Sequence, residues 1–75
     1  MPKAIPRPSI LDDLVRVPRK GETRWRSLAG DRLYTWDSMH GEVEVFNGRG
    51  EHLGAVDPLK GVLVKRAVKG RHIDV

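Results

Sequence analysis

The sequence contains no cysteine. Neither disulfides nor thiolate metal sites can brace the fold, and the chain suits a reducing compartment such as the cytoplasm. No apolar run approaches membrane-spanning length, and the opening Met-Pro-Lys-Ala has no hydrophobic signal region behind it. Aromatics are few: two Trp, one Tyr and one Phe. The three His include no His-x-x-x-His and no paired-His run, a poor basis for a metal site, so neither metal nor other cofactor is expected. At 75 residues the chain is one domain, 1–75. It buries only roughly 60–65% of its unfolded surface, so its core must be thin.

Acidic residues are also missing from one region. None occurs from Pro58 to Ile73, where Lys60, Lys65, Arg66, Lys69 and Arg71 fall. The acids gather at Asp12–Asp13 and between Asp31 and Asp57. Overall, 14 Lys+Arg against 10 Asp+Glu give a net charge of +4 and a pI near 10. That bias favours anionic partners, chiefly nucleic acid. A purely electrostatic phosphate binder, however, gains nothing from an acidic middle.

Pro2, Pro6 and Pro8 predict an extended lead-in over 1–8. "SILDDLVRVP" predicts a short helix over 9–17, capped by Ser9 with Asp12 three residues on and ended by Pro18. Its face of Ile10, Leu11, Leu14 and Val15 would pack on a sheet spanning 24–75. Trp25 is the first anchor of that body, and "LAGD" (28–31) is a turn.

From Arg32 the period becomes two. Arg32–Asp37 and Glu42–Phe46 read as strands joined by "SMHG". Pairing Asp37 with Glu42, Thr35 with Glu44 and Leu33 with Phe46 puts Tyr34, Trp36, Val43 and Val45 on one face. Asp37, Glu42 and Glu44 share the other, with His40 at the turn. A one-residue slip would bury a carboxylate. A five-residue loop at Asn47–Glu51 then sets His52 beside Phe46 and Gly54 beside Glu44, where a glycine would admit a ribose. "DPLKG" is a further turn, and Val62–Val68 a fourth strand. The fold class is mainly β, a small, highly twisted antiparallel meander with one short N-terminal helix. Tyr34, Trp25 and Trp36 belong to its core.

Metal-free RNA cleavage needs a base for the 2′-OH, an acid for the leaving oxygen and a cation for the phosphorane. Asp37, Glu42, Glu44 and His40 offer the first two on one face, and Arg71 on the basic arm offers the third. Outward carboxylates on an antiparallel strand are ordinarily just the solvated face. A non-catalytic basic RNA-binding β-domain and a module for an acidic protein partner are therefore also open. Neither explains carboxylates standing where phosphate should lie.

"LYTWDSMHGEVEVF" followed by "GEHLGAVDP" closely resembles the cytotoxic ribonuclease domain of the ribosome-inactivating colicins and cloacin. Arg24–Trp25 and Gly30–Asp31 resemble elements just upstream, and "KGRHI" resembles the family's basic Arg-x-Ile segment. Roughly half the chain carries the likeness. The resemblance implies a metal-independent endoribonuclease that cuts small-subunit (16S) ribosomal RNA at the decoding site, leaving a 2′,3′-cyclic phosphate. It implies Asp37, His40, Glu44 and Arg71 as catalytic residues. Glu44 would be the base, His40 the acid or a transition-state stabiliser, Asp37 its orienting partner and Arg71 the phosphate's cation. Another RNA such as tRNA is the alternative target. The expected partners are the 30S subunit and an acidic immunity protein or antitoxin. The expected state is a monomer acting in the cytoplasm, delivered within a larger secreted toxin or made free-standing.

The chain departs from the family at Phe46, where a Tyr is usual and stacking on RNA is retained, and in a shorter 47–51 loop. Basic residues before Trp25 are thinned to Arg19, Lys20, Arg24 and Arg26. Other expected RNA contacts are Arg49 at a loop tip, His52 beside Glu44, and Lys65, Arg66 and Lys69 along phosphates. His72 is a lesser phosphate candidate.

Overall fold

The computed structural model describes residues 1–75. Ser9 opens the first element. Its Oγ accepts the Leu11 N–H at 3.2 Å, and its own N–H donates to Asp12 Oδ2 at 3.0 Å. This capping box closes only a single 3₁₀ turn, Ile10–Asp13, and the helix expected over 9–17 is absent. Leu14 is already extended, and Val15–Val17 forms strand β1. Val15 and Val17 are β-branched and alternate with Arg16, a strand pattern as good as the helical one. Four helical residues do not offset the cost of nucleation. Strand β1 instead pairs with Arg24–Arg26, strand β2, an element for which Trp25 alone stood as the sign.

Four more strands follow: β3 (Arg32–Asp37), β4 (Glu42–Asn47), β5 (His52–Val56) and β6 (Leu63–Arg66). All six pair antiparallel in sequence order, so the fold is the mainly β meander predicted, with a 3₁₀ turn in place of the helix. The β3–β4 register sets Leu33 opposite Phe46, Thr35 opposite Glu44 and Asp37 opposite Glu42, as the alternation required. Strand β6 is shorter than the predicted Val62–Val68.

The β4–β5 ladder differs in one respect. Phe46 opposes His52 as expected, but a bulge follows, so Glu44 faces Ala55 and Val45 faces Gly54. Gly54 therefore sits on the face opposite Glu44. Its φ is +141°, and an added Cβ would lie 2.6 Å from the Lys65 carbonyl oxygen and 2.7 Å from Leu63 Cδ1. Strand β6 fills the space that a ribose was expected to enter.

The two faces of the sheet bury different things. One carries Leu11, Trp25 and Val43, with Ile5, Ile10, Leu14, Tyr34, Trp36 and Val56 packed around them. The lead-in is extended and lies docked here. The Trp36 indole N–H donates to the Lys3 carbonyl at 3.0 Å, and the Lys3 N–H to the Ser38 carbonyl at 2.7 Å. The other face buries Phe46 and Ala55 together with Arg24, Glu44 and His52. A polar inventory of that kind must be covered and hydrogen-bonded. The tail, residues 67–75, does both. The His52 N–H donates to the Arg71 carbonyl and the Ile73 N–H to the Gly50 carbonyl, each at 2.9 Å, and Arg24 Nη1 donates to the Asp74 carbonyl at 2.6 Å. No helix is long and apolar enough to cross a membrane.

Candidate active site

Asp37 ends β3 and turns the chain. Its Oδ1 accepts the backbone N–H groups of Met39 (3.0 Å) and His40 (3.2 Å), an Asx-type turn that the Gly41 N–H closes onto the Asp37 carbonyl at 2.8 Å. Its Oδ2 takes His40 Nδ1 at 2.8 Å. The imidazole is thus oriented by its own turn, with Nδ1–H on the carboxylate and Nε2 directed away from it. His40 is largely exposed and Asp37 mostly covered. Partial desolvation raises the Asp37 pKa, but the His40 ring, the two N–H bonds and the His40 charge outweigh it and hold Asp37 below its ordinary value.

Glu44 lies two residues into β4 from Glu42, on the same face as Asp37. It is buried, and both carboxylate oxygens are engaged: Oε1 by Arg71 Nη2 at 3.0 Å, and Oε2 by His52 Nε2 at 3.1 Å. Arg71 arrives from the tail and leaves about half its side chain exposed (49%), so it can meet an incoming anion without leaving the sheet. Lys65 Nζ pairs with Glu42 Oε1 at 2.9 Å.

The four predicted catalytic residues therefore share one face as two linked groups. Asp37 and His40 form one, and Glu44 and Arg71 the other. Glu42 stands between them, with its ligand atom within 4.8 Å of those of Asp37 and His40. These three are the residues that could hold a cation, although Lys65 already supplies a positive charge at Glu42. One face then offers a carboxylate backed by a guanidinium and an imidazole backed by a carboxylate, a set able to move two protons across a phosphate.

The expected RNA contacts divide. Arg49 is exposed at its loop tip, although Nη2 binds Glu51 Oε1 at 3.0 Å. The Asn47 side chain and then Arg49 hold Glu51 below its ordinary pKa. Lys65, Arg66 and Lys69 are exposed, with Lys65 on the Glu44 face opposite Ala55 and Arg66 on the other face opposite Gly54. A cleft of about 500 Å³ between the 47–51 loop and the tail is lined by Arg49, Lys69, Arg71 and His72.

Phe46 and His52 do not fit their expected role. Phe46 is 1% exposed and cannot offer a ring to a base. It packs edge-on against His52 with centroids 5.3 Å apart. The His52 ring is sealed under the tail and cannot touch RNA directly. Pairing Phe46 with His52 was legible from loop length, but the tail that covers His52 was not.

The family model described as Cytotoxic matches residues 5–74. Among curated proteins, the chain is 40% identical over 63 residues to cloacin of Escherichia coli, covering 77% of this chain and 11% of that protein. It is 44% identical over 52 residues to colicin E3 of Escherichia coli, covering 61% of this chain and 9% of that one. With colicin-E6 of the same organism it shares 38% over 64 residues, covering 72% and 12%. The chain thus spans about a tenth of the length of these relatives. With the match running through every strand of the sheet, the chain belongs to the Cytotoxic family.

Proposed function

We propose that the chain is a metal-independent endoribonuclease that cuts small-subunit (16S) ribosomal RNA at the decoding site and stops translation. The observation that carries this reading is the buried Glu44 carboxylate with the half-exposed Arg71 on it, on the face that also presents the Asp37–His40 pair. Glu44 takes the proton of the ribose 2′-OH as that oxygen bonds to phosphorus. Arg71 moves its donors onto the phosphoryl oxygens as their charge grows. The P–O5′ bond breaks, and His40, held by Asp37, gives its proton to the leaving 5′-oxygen. The products are a 2′,3′-cyclic phosphate and a 5′-hydroxyl. Lys65, Arg66, Lys69 and Arg49 supply phosphate attraction, which gathers substrate without acting on bonds.

The partners follow from the same reading: the 30S subunit as substrate and an acidic immunity protein or antitoxin as inhibitor, drawn by a net charge of +4. The chain acts as one domain and as a monomer in the cytoplasm of the target cell, delivered within a larger secreted toxin. Ribosomes incubated with the protein in EDTA and run on a denaturing gel test the reading. A short 3′ fragment of the small-subunit RNA supports it. Intact RNA with a mobility shift would mean a binding module, and cut tRNA with intact ribosomal RNA would mean another target.

A further inference from the structure

Of the buried ionisable side chains, His52 has no part in the chemistry just described, yet the whole tail is arranged around it. Its Nε2 lies 3.1 Å from Glu44 Oε2, and its Nδ1 lies 2.9 Å from the backbone nitrogen of Val68. The side chain is 2% exposed, with Phe46 edge-on to the ring. A backbone N–H can only donate, so Nδ1 must present its lone pair to Val68, and the ring proton must sit on Nε2. There it can only donate to Glu44.

We propose that His52, fixed as the neutral Nε2–H tautomer by the Val68 N–H, is a positioning residue for Glu44. It anchors Oε2 and leaves Oε1 as the oxygen that Arg71 relinquishes and the 2′-OH meets. This rests on the reading of Glu44 as the base. The device is built twice from one segment, because the tail that supplies Val68 also supplies Arg71, whose carbonyl accepts the His52 backbone N–H at 2.9 Å. Docking of residues 68–71 therefore sets both partners of Glu44 at once. A misplaced general base is costly, because shifts of about 1 Å can lower a rate by as much as ~10²-fold.

Two substitutions separate the two bonds of the ring. In His52→Asn the amide oxygen stands near Nδ1 and keeps the Val68 bond, but nothing reaches Glu44. In His52→Gln the longer amide restores a donor near Nε2. Single-turnover cleavage of ribosomal RNA should lose roughly tenfold to a hundredfold in plateau rate with His52→Asn, at unchanged half-saturation, and recover most of it with His52→Gln. Wild-type plateau rate in a folded His52→Asn variant would overturn the proposal. Nitrogen-15 imidazole spectra of the intact wild-type protein at neutral pH give a readout independent of activity. A slowly exchanging proton on Nε2 with a bare Nδ1 is expected, and a proton on Nδ1 overturns the assignment. Should the wild type cut no RNA, the ribonuclease reading fails, while the spectra still decide the tautomer.

Discussion

Arg71 Nη2 lies 3.0 Å from Glu44 Oε1, a half-exposed cation seated on a buried anion. As a purely structural pair it would simply screen a carboxylate placed under the tail. As part of a reaction centre it is a resting arrangement: an incoming phosphate competes for the guanidinium and uncovers the oxygen beneath. The two descriptions differ in what loss of Arg71 does to rate.

Arg71→Ala should lower the maximal single-turnover rate itself, because the interaction strengthens as the phosphorane gains charge. Arg71→Lys should recover only part, since an ammonium lacks the paired donors of a guanidinium. A change confined to the half-saturation point would make Arg71 a binding residue. Circular dichroism of both variants checks that the tail stays docked.

Arg66→Ala and Lys69→Ala should behave in the opposite way. Each is exposed and free of the carboxylates described above. Binding to RNA should weaken, and the salt dependence should flatten by roughly one unit of slope per lost contact. Plateau rate should hold, because contacts made equally in ground and transition states do not accelerate chemistry.

Acid should unfold the protein partly through Asp37. Its carboxyl takes up a proton near 3.8 when unfolded and only at lower pH when folded. Between those two points the unfolded chain holds more protons, so stability falls as pH falls. The contribution is complete above 3.8 and lost as pH drops through the folded value. Denaturant midpoints measured from about pH 6 to about pH 2 should show a shallower acid decline for Asp37→Asn than for wild type. The exposed Glu51, also lowered, keeps its own decline below 4.5 in both proteins.

Phe46→Ala should destabilise the fold by about 3–5 kcal/mol, the usual range for deleting a sealed ring. Gly50→Ala should also be costly. Gly50 has φ +86°, and a Cβ there would run into the carbonyl of Ile73, the residue whose N–H fastens the tail to the Gly50 carbonyl. Urea denaturation followed by tryptophan fluorescence measures both. If Phe46 were instead an exposed stacking ring, its loss would spare stability and weaken RNA binding.

The contrast between the hairpin and its surroundings shows what this sequence displays openly. Asp37, Glu42 and Glu44 fix the β3–β4 register because a slip of one would turn carboxylates onto the apolar face that holds Leu11 and Trp25, so alternation alone placed the chemistry on one face. Strands β1 and β2 are three residues each, too short for a period to declare itself, and "ILDDLVRV" fits a helix as readily as a 3₁₀ turn and a strand. The β4–β5 bulge was hidden because the five-residue loop that sets His52 beside Phe46 also sets Gly54 beside Glu44 with no break in the pairing. Burial of His52 comes from residues 67–75 folding back, a non-local event without local periodicity. The basic tail was readable as a charged arm but not as a cover.

Glu44 as a metal-free general base is most directly tested by comparing wild type with Glu44→Gln. Single-turnover cleavage of ribosomal RNA at saturating protein in EDTA is followed for both, with the product ends identified. Gln keeps the shape and one acceptor oxygen for the Arg71 and His52 donors while removing the basic carboxylate. The expected result is a wild type that yields 2′,3′-cyclic phosphate ends without metal and a folded variant slower by ~10²–10⁴-fold, with His40→Ala slowed comparably. A folded Glu44→Gln variant cleaving at nearly the wild-type plateau rate, or a wild type that needs a divalent cation, would contradict the account.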